Sequence, residues 1–303
     1  MSTTESNTVS LVLSSGGARG LAHVGAIRAL ESLGYTISSV SGSSMGALVG
    51  GIYAAGQLDE FERWVTALRR SDIVQLLDFG WWSGSGLFKG ERIIEVLREL
   101  VGEHTIEDLP IDYTAVATEL NRKREVWISD GSLFDAIRAS IAIPMVFTPV
   151  RRQQQVLVDG GVLNPLPIAP TLSNHTDLTI AIDVNGLDER PLNVRMNIDE
   201  REEAVDETTD GDESIRAAVS SFISELFTSE EDENDRGMIE IAMESMDAMQ
   251  VAISRLKLSA YSPDVLVQTP RNIAHFFEFE RAGELIQLGY EATHTALSAP
   301  DRP

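Results

Sequence analysis

Gly42-Ser43-Ser44-Met45-Gly46 has the G-x-S-x-G spacing of a nucleophile elbow, in which two small residues let the chain turn sharply enough to lift a serine hydroxyl clear of the backbone. Such a hydroxyl attacks a carbonyl carbon once a base takes its proton and donors hold the oxyanion that forms. The plainer reading of the same residues is a Gly/Ser turn closing a strand-to-helix unit. A second turn, Ser14-Ser15-Gly16-Gly17-Ala18-Arg19-Gly20, can gather backbone N–H groups into an anion nest at a helix N-terminus. It lacks the Gly-Lys-Ser/Thr ending of a phosphate-binding loop, and Ser15 stands where G-x-G-x-x-G needs its first glycine. With a nucleophile candidate on the neighbouring turn, an oxyanion hole is the better fit.

The base is less obvious. Five histidines are present, and only His275 and His294 fall late enough in the chain for a Ser-acid-His order. Neither is flanked by turn residues that would present it, and only 43 residues precede Ser44, too few for the strands that open an α/β-hydrolase. Asp159 is the stronger candidate: Val156-Leu157-Val158 reads as an apolar strand delivering the carboxylate to its end, and Gly160, Gly161 and Asn164-Pro165 turn the chain behind it. Read alone, Asp159-Gly160 is also an ordinary Asp-Gly connector.

These groups need elements to carry them. Val9–Leu13 reads as a buried strand, Ala18–Leu33 as a helix capped by Gly34, Tyr35–Ser41 as a second strand and Met45–Ala55 as a second helix ended by Gly56. That alternation predicts a parallel sheet with crossover helices. It continues through helices at 59–70, 90–101 and 132–140 and strands at 112–118, 124–128, 155–158 and 178–184. After an interruption come a helix over 238–258, its methionines read as core filling, a strand over 263–267 and a helix over 282–297. The apolar, glycine-punctuated run 76–88, with Trp81 and Trp82, reads as a lid or apolar channel wall, or as a loop packed on the core. Arg19 suits either a headgroup phosphate or a structural salt bridge.

Composition bounds the rest. The 303 residues carry no cysteine, which removes disulfides, thiolate nucleophiles and Cys-ligated metals. Lys+Arg 24 against Asp+Glu 47 gives a formal charge of −23, which repels nucleic acid and anionic lipid surfaces at long range. Residues 188–235 concentrate the acid and read as a solvated insertion. Asp206–Gly211 has a faint calcium-loop look that fails where Thr208 and Ala217 replace required ligands. Only three lysines, Lys89, Lys123 and Lys257, accompany that acid excess, as expected of a salt-adapted surface. Neither a signal sequence nor a membrane-length apolar segment is seen, so a soluble cytoplasmic protein is expected.

Taken together and in order, Ser15–Gly20, Gly42–Gly46 and Asp159–Gly161 resemble the patatin-like phospholipase family, particularly its compact bacterial members. The likeness extends through Leu21–Gly25, Arg138–Pro144 and Asn164–Pro167, and covers residues 9–185 and, more weakly, 263–297. The resemblance implies a three-layer α/β/α sandwich with a mostly parallel sheet, forming one domain from about 9–185 and 237–297. It implies a lipid acyl hydrolase with a Ser44–Asp159 dyad, no histidine, and an oxyanion hole from the backbone of Gly16, Gly17 and Ala18. Ser15, Arg19, Gly20, Gly42, Gly46, Gly160 and Gly161 would support these groups. The expected substrate is a lipid or other acyl ester, with transient membrane contact and no metal or cofactor. A carboxylesterase or acyltransferase on soluble esters, and an inactive lipid-binding module, are the alternatives.

Overall fold

The computed structural model describes residues 7–76, 86–187 and 238–298. The first half alternates as the sequence predicts: β1 (Thr8–Leu13), α1 (Ala22–Ser32), β2 (Thr36–Ser43), α2 (Met45–Ala54), α3 (Leu58–Ala67) and α4 (Arg70–Leu76). Then come β3 (Gly86–Phe88), α5 (Glu91–Val101), β4 (Asp112–Glu119), β5 (Arg124–Ile128), α6 (Leu133–Ser140), β6 (Met145–Phe147), β7 (Val150–Arg152), β8 (Gln155–Asp159) and β9 (Leu178–Gly186). The remainder is α7 (Met238–Ala260), β10 (Val265–Pro270) and α8 (Ala282–Ser298).

The main sheet runs β10-β9-β1-β2-β4-β8-β7, with β5 also paired to β4. Strands β10, β9, β1, β2 and β4 are mutually parallel, whereas β5 and β8 run antiparallel to β4, and β7, antiparallel to β8, returns to the common direction. In β1, Leu11 and Leu13 join the core that includes Val24 and Ile27 of α1, while Val12 faces the other way and packs with Leu166, Ile168 and Ala181. Burial on both faces is what an apolar run without alternation requires. Leu258 and Tyr261, at and just beyond the end of α7, pack on that second core. Helices therefore cover both faces of the sheet, an α/β/α sandwich.

Register on β4 decides the position of the chemistry. Its residues 115–119 pair with β5 on one edge. The opposite edge is shared, with β2 opposite residues 112–116 and β8 opposite residues 117–119. Ser43 lies opposite Val116 and Asp159 opposite Ala117. The ends of β2 and β8 thus meet head to head across consecutive residues of one strand.

Some expectations change. The helix expected over Ala18–Leu33 opens as a 3-10 turn, Gly17–Leu21, before α1 begins. The one expected over 59–70 is two, because the backbone turns extended at Leu68 (ψ 134°). β3, β6 and β7, three residues each, are too short for an alternation to be read. Residues 188–235, the calcium-like stretch among them, and most of the 76–88 run lie outside the described residues.

Candidate active site

Ser44 sits between β2 and α2 with φ 53° and ψ −122°, a conformation that L-residues avoid and that a tight strand-to-helix turn imposes. The flanking glycines are needed sterically. A Cβ on Gly42 would lie 2.3 Å from the Gly46 carbonyl oxygen, and one on Gly46 would lie 2.2 Å from that of Leu13. The Ser44 N–H donates to Ser140 Oγ at 2.9 Å, and that hydroxyl donates to the Val116 carbonyl at 2.6 Å. The elbow is thereby tied to the middle of β4.

Asp159 is buried at the end of β8, and its Oδ1 accepts from the Gly161 N–H at 2.7 Å. Burial pushes the carboxyl up to about 7, against the downward pull of the facing Ser44 hydroxyl and the Gly161 N–H. Its Oδ2 is buried without a completed hydrogen bond, so the hydroxyl faces a carboxyl with accepting capacity to spare. Hydroxyl and carboxyl, 115 positions apart in sequence, meet because β2 and β8 abut on β4.

The Ser15–Gly20 turn lies beside them. His23 Nε2 holds the Ser14 carbonyl at 2.8 Å, and the Ser15 N–H donates to the Pro165 carbonyl at 2.8 Å. Burial lowers the His23 imidazole to about 4, so it is neutral here and serves as a brace. Gly17 adopts φ +54°. Ala18 departs from expectation: its N–H donates to the Phe276 carbonyl at 2.9 Å and is spent on that contact. The N–H groups of Gly16 and Gly17 meet no acceptor among the described residues, which leaves these two as the open donors. Arg19 is buried and bonds to the Gly16 carbonyl (3.2 Å), the Arg271 carbonyl (3.0 Å) and Asp247 (2.5 Å), the structural role rather than the headgroup one.

Ser44 opens into a cavity of about 90 Å³ whose walls are otherwise apolar, including Leu48, Phe61, Trp64, Ile141, Phe147 and Phe277. Of the 76–88 run only Leu76 among the described residues reaches it. The walls come mainly from helices whose apolar faces read in sequence as core. Phe61, Trp64, Val65 and Leu68 on and after α3 were the available signal. Gln250 of α7, bonded to Ser15 Oγ at 2.9 Å, carried none.

A serine on a strained elbow, beside a buried carboxyl and two open N–H groups at the mouth of an apolar cavity, is an arrangement for acyl transfer. The family model described as patatin-like phospholipase matches residues 11–172. An uncharacterized NTE family protein of Mycobacterium tuberculosis is 36% identical over 330 aligned residues, covering 96% of this chain and 91% of the relative. The chain belongs to the patatin-like phospholipase family. Membership makes it an ester-hydrolysing enzyme of the lipid hydrolase class. Lysophospholipase nte1 of Emericella nidulans is 32% identical over 189 residues, covering 60% of this chain and 12% of that protein. Patatin-like phospholipase domain-containing protein 6 of Homo sapiens is 32% identical over 192 residues, covering 61% and 14%. Among the described residues of this patatin-like chain, no helix is long and apolar enough to cross a membrane, and no cluster of three potential metal ligands is present.

Proposed function

We propose that the protein hydrolyses the acyl ester of a lysophospholipid-type lipid, with Ser44 as nucleophile and Asp159 as its base. The observation that carries this reading is the Ser44 hydroxyl set against a buried carboxyl raised to about 7, at the mouth of an apolar cavity. A carboxylate of ordinary affinity, near 3.9, is too weak a base for a serine, and desolvation brings it close to working pH. Ser44 Oγ adds to the ester carbonyl while its proton passes to Asp159. The resulting oxyanion accepts from the Gly16 and Gly17 N–H groups. Collapse expels the alcohol, which takes the proton from Asp159, and water repeats the sequence on the acyl-enzyme.

One acyl chain fits the cavity's chemistry, because carbon-lined walls offer a headgroup no partners. A formal charge of −23 works against docking on anionic bilayers and favours monomeric or micellar lipids. The test is hydrolysis of a matched panel of lysophosphatidylcholine, diacyl phosphatidylcholine and short p-nitrophenyl esters. Turnover of the lysolipid, lost in Ser44→Ala, supports the reading. Turnover of the short esters alone moves the assignment to a soluble carboxylesterase, and no turnover with no fluorophosphonate labelling of Ser44 refutes it.

A further inference from the structure

The open donors, Gly16 and Gly17, are aimed by side chains lying outside all three motifs. A trans peptide unit is planar, with its C=O and the following N–H pointing in opposite directions. Every peptide bond among the described residues is trans. Whatever holds the Ser15 carbonyl therefore sets the Gly16 N–H, and whatever holds the Gly16 carbonyl sets the Gly17 N–H.

The Ser15 carbonyl accepts from Asn185 Nδ2 at 2.7 Å, and the Gly16 carbonyl accepts from Arg19 Nε at 3.2 Å. Asn185 is buried at the end of β9, where its own N–H donates to Asp183 Oδ1 at 3.1 Å, so its side chain is carried on a fixed strand end. Arg19 is in turn gripped by Asp247 of α7 at 2.5 Å, while the Arg271 carbonyl takes another of its N–H groups. One helical turn further along α7, Gln250 Oε1 accepts from Ser15 Oγ at 2.9 Å. Two separate elements, β9 and α7, thus hold successive peptide planes of one turn.

Resting on the Ser44 reading above, we infer that Asn185 and Asp247 are positioning residues that aim the two oxyanion donors, Asn185 directly and Asp247 through Arg19. Neither touches the reacting atoms. Each fixes the carbonyl side of a peptide plane so that its N–H side meets the developing charge without reorganisation. Both lie beyond the stretch matched by the family model.

The experiment compares two ligands of the same chain length on the full chain. A long-chain alkyl trifluoromethyl ketone adds Ser44 Oγ to its carbonyl, passes the proton to Asp159 and places an oxyanion at the donors. A saturated alcohol only fills the cavity. Asn185→Asp replaces the donating amide by an acceptor of the same shape, and Asp247→Asn removes the charge that grips Arg19. Each variant is expected to weaken the ketone about 10- to 100-fold, with kcat falling in step. The alcohol's Kd and KM should move less than about twofold, and Asp247→Glu should recover most of the loss. Equal weakening of both ligands, or unchanged ketone affinity in the variants, overturns the inference. Since the two positions lie on separate elements, misfolding of one variant leaves the other to decide. Wild type that neither hydrolyses esters nor captures the ketone at Ser44 overturns the underlying reading instead.

Discussion

The two turns that meet at the site are stabilised in different ways. The elbow around Ser44 is enforced almost on the spot: Gly42 and Gly46 remove the atoms that would clash, and one hydroxyl, Ser140, anchors the backbone to β4. The Ser15–Gly20 turn is held from a distance by His23, Pro165, Asn185, Asp247, Gln250 and Phe276. A nucleophile needs one atom placed at the cost of local strain. An oxyanion hole needs two dipoles pointing the same way, which takes supports outside the turn itself. Substitutions at the elbow should therefore act as all-or-none losses, and those around the second turn as graded ones.

The largest effect is expected from Ser44→Ala, which removes the proposed attacking atom: ester turnover should fall by at least about 10⁴-fold, measured with the best lysolipid. Residual turnover at wild-type level would remove the elbow from the comparison. Asp159→Asn should lower kcat about 10³-fold, since an amide cannot take the proton. It should affect stability in the opposite direction. Because the folded carboxyl binds its proton more tightly than the unfolded one, folding becomes less favourable as pH rises from about 4 to about 7. The Asn variant lacks that burden, so its Tm should exceed the wild type's by several degrees at pH 8 and lose most of the advantage near pH 4. Equal Tm differences at both pH values would show that the carboxyl carries no desolvation burden.

Smaller effects sharpen the contrast. Leu48→Trp puts an indole into the cavity beside Ser44, and activity on long acyl chains should fall about tenfold or more while short p-nitrophenyl esters are spared. An unchanged chain-length profile would place the acyl chain elsewhere. Ser140→Ala leaves the buried Ser44 N–H and Val116 carbonyl without their shared partner, costing about 1–3 kcal/mol of stability in urea unfolding. Its kcat should drop only a few-fold, because the glycines still impose the turn. A loss as large as that of Asp159→Asn would make Ser140 part of the chemistry.

Much of this is legible in the sequence alone. Strand, glycine turn and helix follow from Val9–Leu33 and again from Tyr35–Ala55, because burial of both strand faces and helical spacing leave a direct trace in residue type. Asp159 was legible for the same reason, an apolar strand delivering a carboxylate to a double glycine. What could not be read was the antiparallel course of β8, since an apolar strand of five residues looks alike in either direction. Nor was the sharing of one edge of β4 visible, although it brings position 44 to position 159. The supports of the second turn left no trace either. Asn185 and Gln250 belong to no motif, and such a polar residue reveals its partner only when the fold closes. Ala18 shows the converse, a motif residue whose N–H is claimed by Phe276, 258 positions away in sequence.

The proposed dyad is tested most directly by the pH dependence of fluorophosphonate labelling, with the modified residue mapped by mass spectrometry. In the wild type the label should sit on Ser44, and its rate should rise with pH through a midpoint near 7 as Asp159 gives up its proton. In Asp159→Asn the same site should label slowly, with no such midpoint. Labelling at another residue, or the same profile in both proteins, would contradict the pairing of Ser44 with Asp159.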